Sequence, residues 1–176
     1  MLSNSLDQHP RCLWATLQKT KVETEMSRSM SSNSLQDRNE QPNWLQTRPG
    51  ESCLIRVPAA DTNGVYSFVE IVSDPGDGTP LHVHQNEDEY LFVLEGTARC
   101  ALGDKIFDAE AGTMVTLPKN VPHAWGNRAT SRLRMAFICF PGGAEDAIRI
   151  IAKGEVVDLP ALAAKFAVTV LGPTPF

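Results

Sequence analysis

Three of the four histidines in this 176-residue chain fall between Gly76 and Asn127, and two of them, His82 and His84, are two residues apart. On an extended strand that spacing puts both imidazoles on one face. The pair leads through a polar turn into Glu89, which opens the apolar run Tyr90–Leu94. The third, His123, follows a Pro-rich turn near the end of the window. A fold that brings these two stretches together has a metal-chelating set of three imidazoles and one carboxylate. Such donors suit a borderline divalent ion (Fe, Mn, Co, Ni, Cu or Zn) better than Ca or Mg. An isolated His-x-His is more often an ordinary pair of polar residues on a half-exposed strand, so the residues around it decide its meaning.

Those residues carry a family resemblance. Gly76, His82, His84, Glu89 and Gly96 reproduce the first cupin motif, G-x5-H-x-H-x4-E-x6-G. Gly112, Pro118, His123 and Asn127 reproduce the second, G-x5-P-x-G-x2-H-x3-N, with Asn120 standing where the motif has glycine. Asparagine is the next best residue for a left-handed backbone, so the turn survives the change. The resemblance covers roughly residues 48–140. It implies an all-β fold, a single jelly-roll β-barrel whose interior holds one divalent transition metal on His82, His84, Glu89 and His123. Asp88 is the rival for the acidic position, because the family pattern also admits the acid one place earlier; spacing to Gly96 favours Glu89.

The rest of the chain agrees with one such domain. Strands separated by turn signals run from residue 48 to 140: 52–57, 65–73, 81–83, 88–95, 97–102, 105–109, 113–117, 124–127 and 132–140. Gly103-Asp104 reads as a tight hairpin. If Glu89 points inward, so do Leu91 and Val93, while Tyr90, Phe92 and Leu94 face outward. Trp125 shares parity with His123 and is expected to line a substrate pocket beside the metal, where the plainer alternative is core filler. The outward side of 88–95 is apolar too, so another element or a second subunit covers it. A homodimer is the expectation, common in the family. Residues 141–176 form a C-terminal extension: a helix over 144–153, a second over 158–165 and an extended piece over 168–171. This tail is similar to that of small single-domain cupins of the quercetin dioxygenase-like group.

Residues 1–47 are rich in Ser, Asn and Gln and lack apolar periodicity, the composition of a disordered segment. Met26 and Met30 within it are alternative translation starts, His9 is a solvated tail residue, and Trp44-Leu45 at its border is a candidate for order. A net charge of −5 argues against nucleic-acid or anionic-membrane partners. No apolar stretch approaches the ~20 residues of a membrane-spanning helix. Cys12, Cys53, Cys100 and Cys139 form no C-x-x-C pair, which suits reduced thiols in a cytoplasmic protein.

Four donors on an octahedral ion leave two positions open, as in catalytic rather than closed structural sites. The resemblance therefore implies a metal-dependent dioxygenase of the quercetinase-like kind acting on a small oxygenated or aromatic compound. Glu89 would serve there as ligand or as proton acceptor. The alternatives are a small-molecule-binding cupin without turnover, or an isomerase or lyase using the same ion. Fold alone does not separate them.

Overall fold

The computed structural model describes residues 42–154 and 158–176. Eleven strands are placed there: β1 (Leu45–Arg48), β2 (Glu51–Val57), β3 (Ser67–Ser73), β4 (Leu81–His84), β5 (Asp88–Glu95), β6 (Thr97–Leu102), β7 (Lys105–Glu110), β8 (Met114–Leu117), β9 (His123–Gly126), β10 (Leu133–Phe140) and β11 (Val168–Gly172). Helices α1 (Glu145–Ala152) and α2 (Leu159–Lys165) lie between β10 and β11. A 3-10 turn at Ala59–Thr62, not anticipated from the sequence, joins β2 to β3.

The strands form two antiparallel sheets, ordered β1-β2-β3-β10-β5-β8 and β11-β4-β9-β6-β7. Strands β3 to β10 make the jelly-roll pattern, in which the chain changes sheet at every connection except the β6–β7 hairpin. Strands β1 and β2 extend the first sheet, and β11 extends the second beside β4. The sheets are not closed into a barrel, which corrects the sequence expectation. Among the described residues no hydrogen-bonded ladder joins an edge of one sheet to an edge of the other. They close instead by side-chain packing: Leu91, Val93, Leu133 and Met135 of the first sheet meet Ala98, Cys100 and Trp125 of the second.

Alternation explains why β5 sits where it does. Leu91 and Val93 are fully buried with Glu89 on the same side, whereas Leu94 on the other side is 41% exposed. The turns do the rest. Gly96 has φ +83°, and a Cβ there would lie 2.7 Å from the carbonyl oxygen of Arg132. Asn120, in place of the motif glycine, has φ +62°, and its N–H donates to the His84 carbonyl at 2.8 Å. Two outcomes follow for thermal melting. Gly96→Ala, strained and clashing with backbone, is expected to lose more than ~2 kcal/mol. Asn120→Gly is expected to be neutral or slightly stabilising, because only the left-handed backbone is required there.

The first sheet's outer face holds a second buried carboxylate. Glu70 accepts from Arg134 Nε at 2.5 Å and from Arg56 Nη2 at 2.7 Å. Burial pushes its pKa up, but the hydrogen bonds and charges of the two arginines outweigh this and hold it below the ordinary value of 4.5. The sign is that of a depressed carboxylate. Its contribution is present above the unfolded pKa and is lost as pH falls through the folded one. Glu70→Gln is therefore expected to flatten the fall of Tm with pH between about pH 5 and pH 3, read by calorimetry.

The C-terminal elements match the expected order. Asp158 caps α2, its carboxylate accepting from Ala161 N–H at 3.1 Å, with Pro160 in the first turn. The buried carboxylate of Glu145 accepts from Ala59 N–H at 2.7 Å and Gly143 N–H at 3.0 Å, tying α1 to the loop after β2. At the N-terminal border, the 1–47 segment gives way to structure before residue 48. Leu45 pairs with Cys53, and Gln46 with Ser52. The remaining expectations for that segment, including Met26, Met30, His9 and Cys12, lie outside the described residues. Among the described residues no helix is long and apolar enough to cross a membrane.

Candidate metal centre

The two sheets each contribute to one cluster. His82 and His84 stand on β4, and His123 stands directly opposite His82 on β9 of the same sheet. Glu89 comes from β5 in the facing sheet, rather than from a strand adjacent to the histidines. One donor atom from each of the four lies within 4.8 Å of every other. Ligands on opposite sides of one ion are about 4.2 Å apart at bond lengths of about 2.1 Å, so closure by a few tenths of an ångström suffices. The rings crowd together: His82 and His123 centroids are 4.5 Å apart, and the parallel rings of His84 and His123 are 5.4 Å apart.

Each imidazole is held by its outer nitrogen. His82 Nδ1 lies 2.8 Å from the Pro80 carbonyl oxygen and His123 Nδ1 lies 2.9 Å from that of Val121. A carbonyl only accepts, so both rings carry the proton on Nδ1 and leave Nε2 with a lone pair. His84 Nδ1 donates to Glu87 Oε1 at 2.6 Å. Three inward lone pairs with outer-nitrogen partners are the arrangement of metal-binding histidines. His123 Nε2 is buried with no hydrogen-bond partner, 3.4 Å from Glu89 Oε2. A buried orphan atom of this kind is costly unless an ion satisfies it.

Electrostatics point the same way. Burial depresses the His82 pKa to about 4, keeping the ring neutral and its lone pair free. For His84 burial also acts downward, but the Glu87 hydrogen bond and the charges of Glu89 and Glu87 hold its pKa above the ordinary value. Burial would raise Glu89, but the imidazoles of His84, His123 and His82 around it outweigh this and bring it down to about 2. The carboxylate is therefore the anionic form that a cation accepts. Asp88, the rival acid, lies on the other side of β5 and accepts the Lys119 N–H at 2.9 Å.

The cluster opens into a cavity of about 450 Å³ between the two sheets and the C-terminal helices. Its wall is mainly apolar: Val69, Ile71 and Phe137 from the first sheet, Ile148 and Ile151 from α1, and Leu162 from α2. Trp125, 3% exposed, is among the residues lining it, its ring 6.1 Å from that of Phe137.

Three residues at the cavity were not singled out by sequence. Glu87 was hidden inside the variable positions of the first motif, its only signal being an acid three residues after His84. Arg48 was read only as the first residue of the domain, with no motif around it to mark it. Cys139, whose Sγ is 3.6 Å from Glu89 Oε1, is the register partner of Glu89 on β10, a relation that pairing alone reveals. Cys53, Cys100 and Cys139 are all free and buried, and burial raises the first two thiols to about 12 and about 11.

Comparison with known proteins adds to this geometry. Residues 69–139 match the family described as Cupin domain. Over 62 residues the chain is 32% identical to mannose-1-phosphate guanylyltransferase 2 of Escherichia coli O157:H7, a match covering 35% of this chain and 13% of that protein. Over 75 residues it is 27% identical to an uncharacterized protein of Methanocaldococcus jannaschii, covering 43% and 60% respectively. Less than two thirds of either relative's length is thus spanned. Among solved structures, KdgF from Halomonas sp. superposes with a TM-score of 0.54 at 18% identity, covering 61% of this chain and 94% of that one. An RmlC-like cupin from Shewanella frigidimarina gives 0.53 at 18%, covering 62% and 93%. At these identities the likeness establishes the fold.

Proposed function

We propose, from the premise that residues 69–139 form a cupin domain, that the chain is a metal-dependent dioxygenase of the quercetinase-like kind. Its substrate would be a small, largely apolar or aromatic compound presenting two adjacent oxygens. One observation carries the reading: a buried three-imidazole, one-carboxylate cluster with an orphan His123 Nε2 opens directly into a mainly apolar cavity. A divalent ion bound there would act as a Lewis acid on a chelating hydroxyl and, if redox-active, support chemistry with O2. The chain's own residues would do the following. His82, His84 and His123 hold their Nε2 lone pairs inward, because Pro80, Glu87 and Val121 engage the outer nitrogens. Glu89 supplies the negative charge. Trp125 and Phe137 orient the substrate body, and the helix residues Ile148, Ile151 and Leu162 exclude water. The test is oxygen uptake by protein reloaded with Fe(II), Mn(II), Ni(II) or Co(II), against a panel of flavonols and small diols. Uptake with a chelating substrate is the expected result. Tight binding of one of them without uptake under any metal would replace this reading with a non-catalytic binding module.

We also infer that two copies pair through the outer face of the first sheet. Leu94, Met114 and Phe140 are 41%, 52% and 39% exposed there, beside the outward Tyr90, Phe92 and Ile138. An apolar outer sheet face of this kind is usually covered. Light scattering on the full chain should give twice the 19.3 kDa chain mass. Phe92→Lys should shift it to the monomer; a wild-type monomer at micromolar concentration would refute the pairing.

A further inference from the structure

Arg48 contributes the one cationic side chain on the cavity wall among the described residues, against the carboxylates of Glu51, Glu87 and Glu89. It belongs to β1, outside the eight strands of the jelly roll. Its guanidinium stacks over Trp125, 5.5 Å from the ring centroid. Nε donates to Asp77 Oδ1 at 2.6 Å, and Nη2 donates to Glu51 Oε2 at 2.6 Å and to Asp77 Oδ2 at 3.3 Å. Nη1 takes no acceptor among the described residues. The Glu51 carboxylate is itself braced by the Thr47 hydroxyl, and Asp77 by the Ser73 hydroxyl at 2.8 Å.

Two consequences follow from this arrangement. First, the fork is rigid: two of its three nitrogens are pinned by buried carboxylates, and the plane is pinned by the indole. The remaining N–H groups are thus presented at a fixed place beside Trp125. Trp125 lies two residues from His123 on the same side of β9, about 7 Å along the strand, the span of a substituted aromatic ring. Second, the positive charge is already neutralised. One guanidinium between two carboxylates leaves a net negative trio, so a substrate anion arriving there meets Glu51 and Asp77 as well as Arg48.

We propose that Arg48 determines specificity at the far end of the substrate from its chelating oxygens. Nη1 donates to a neutral oxygen acceptor, such as a carbonyl or ether, while a carboxylate or phosphate in the same place is rejected. The proposal rests on the metal-chelating reading of the His–Glu cluster and narrows the substrate to a neutral-tailed, oxygen-chelating aromatic. Donors fixed in advance discriminate by leaving a polar group unpaired in the wrong ligand, and like charges nearby exclude anions.

The test uses the full chain loaded with redox-inert Zn(II), so binding is read without turnover. Calorimetry compares 4-acetylcatechol, 4-ethylcatechol and 3,4-dihydroxybenzoate, which share the chelating end and differ only at the tail. Wild type is expected to bind the acetyl compound about 10-fold tighter than the ethyl one, as befits a hydrogen bond to a charged donor. The benzoate should bind weakest. Because an acetyl group also acidifies the ring hydroxyls, the deciding quantity is the change in the acetyl-to-ethyl ratio on mutation. Arg48→Met should bring that ratio down by about 10-fold. Arg48→Lys, which keeps a charge between Glu51 and Asp77 if the methionine variant does not fold, should do the same. A ratio that survives in a folded variant, or a wild type that prefers the benzoate, overturns the proposal and leaves the chelation reading standing. Failure of all three catechols to bind Zn(II)-loaded protein while the metal is retained overturns both.

Discussion

His123→Ala is expected to abolish stoichiometric metal binding. His123 is 1% exposed, stands opposite His82 across the β4–β9 pair and carries the orphan Nε2. Its removal leaves three donors around a hole that only water can fill. Changes to the outer partners of metal-binding histidines typically cost about 10–100-fold in affinity, so loss of a ligand itself should exceed the upper end of that range. Elemental analysis should fall from one ion per chain to near zero after gel filtration. Competition with a chelator should put Glu87→Gln, which loosens only the orientation of His84, within the milder range. A second reading comes from thermal melting. A ligand that binds only the folded state raises stability with its concentration, so added metal should raise the wild-type Tm and leave the alanine variant unmoved. An alanine variant that keeps one tightly held ion per chain would remove His123 from the site.

Glu89→Gln is expected to lower metal occupancy and oxygen uptake together. The glutamine keeps size and one oxygen donor but removes the negative charge, and the native carboxylate is held at about 2 by the surrounding imidazoles. A group so strongly ionised is a good anionic donor and a weak proton acceptor at neutral pH. The contrary outcome is informative. Occupancy preserved with turnover down by the ~10²–10⁴-fold typical of general-base catalysis would make Glu89 the base. Cys139→Ser gives a control on the same carboxylate, since Cys139 Sγ approaches Glu89 Oε1 and makes no hydrogen bond to the histidines among the described residues. Its effect should be far smaller on both quantities.

Much of the fold was legible because period-2 alternation and turn chemistry are local. With Glu89 taken as inward, the period of two sends Leu91 and Val93 in and Tyr90, Phe92 and Leu94 out, without knowledge of the neighbouring strands. Asn120 was readable for the same reason, since a left-handed turn is a property of one residue's backbone. Sheet closure was not readable. Whether β1 or β8 meets β11 or β7 depends on how two sheets pack, and no residue pattern within a strand records it.

The candidate site divides along the same line. By itself the sequence singled out the four residues that cluster, because residue type and spacing on a strand or turn are written in consecutive residues. It also determined that Trp125 shares a face with His123, two positions along one strand. Only the tertiary structure decided that Glu89 reaches the histidines from the opposite sheet, that Glu87 turns back to hold His84, and that Cys139 lies across from Glu89. It alone brought Arg48, far away in the chain, onto the ring of Trp125. These are contacts between residues whose separation in sequence carries no information about their separation in space. They form because burying the apolar faces of two sheets leaves one mutual register, and the polar side chains caught inside must then find partners or a ligand.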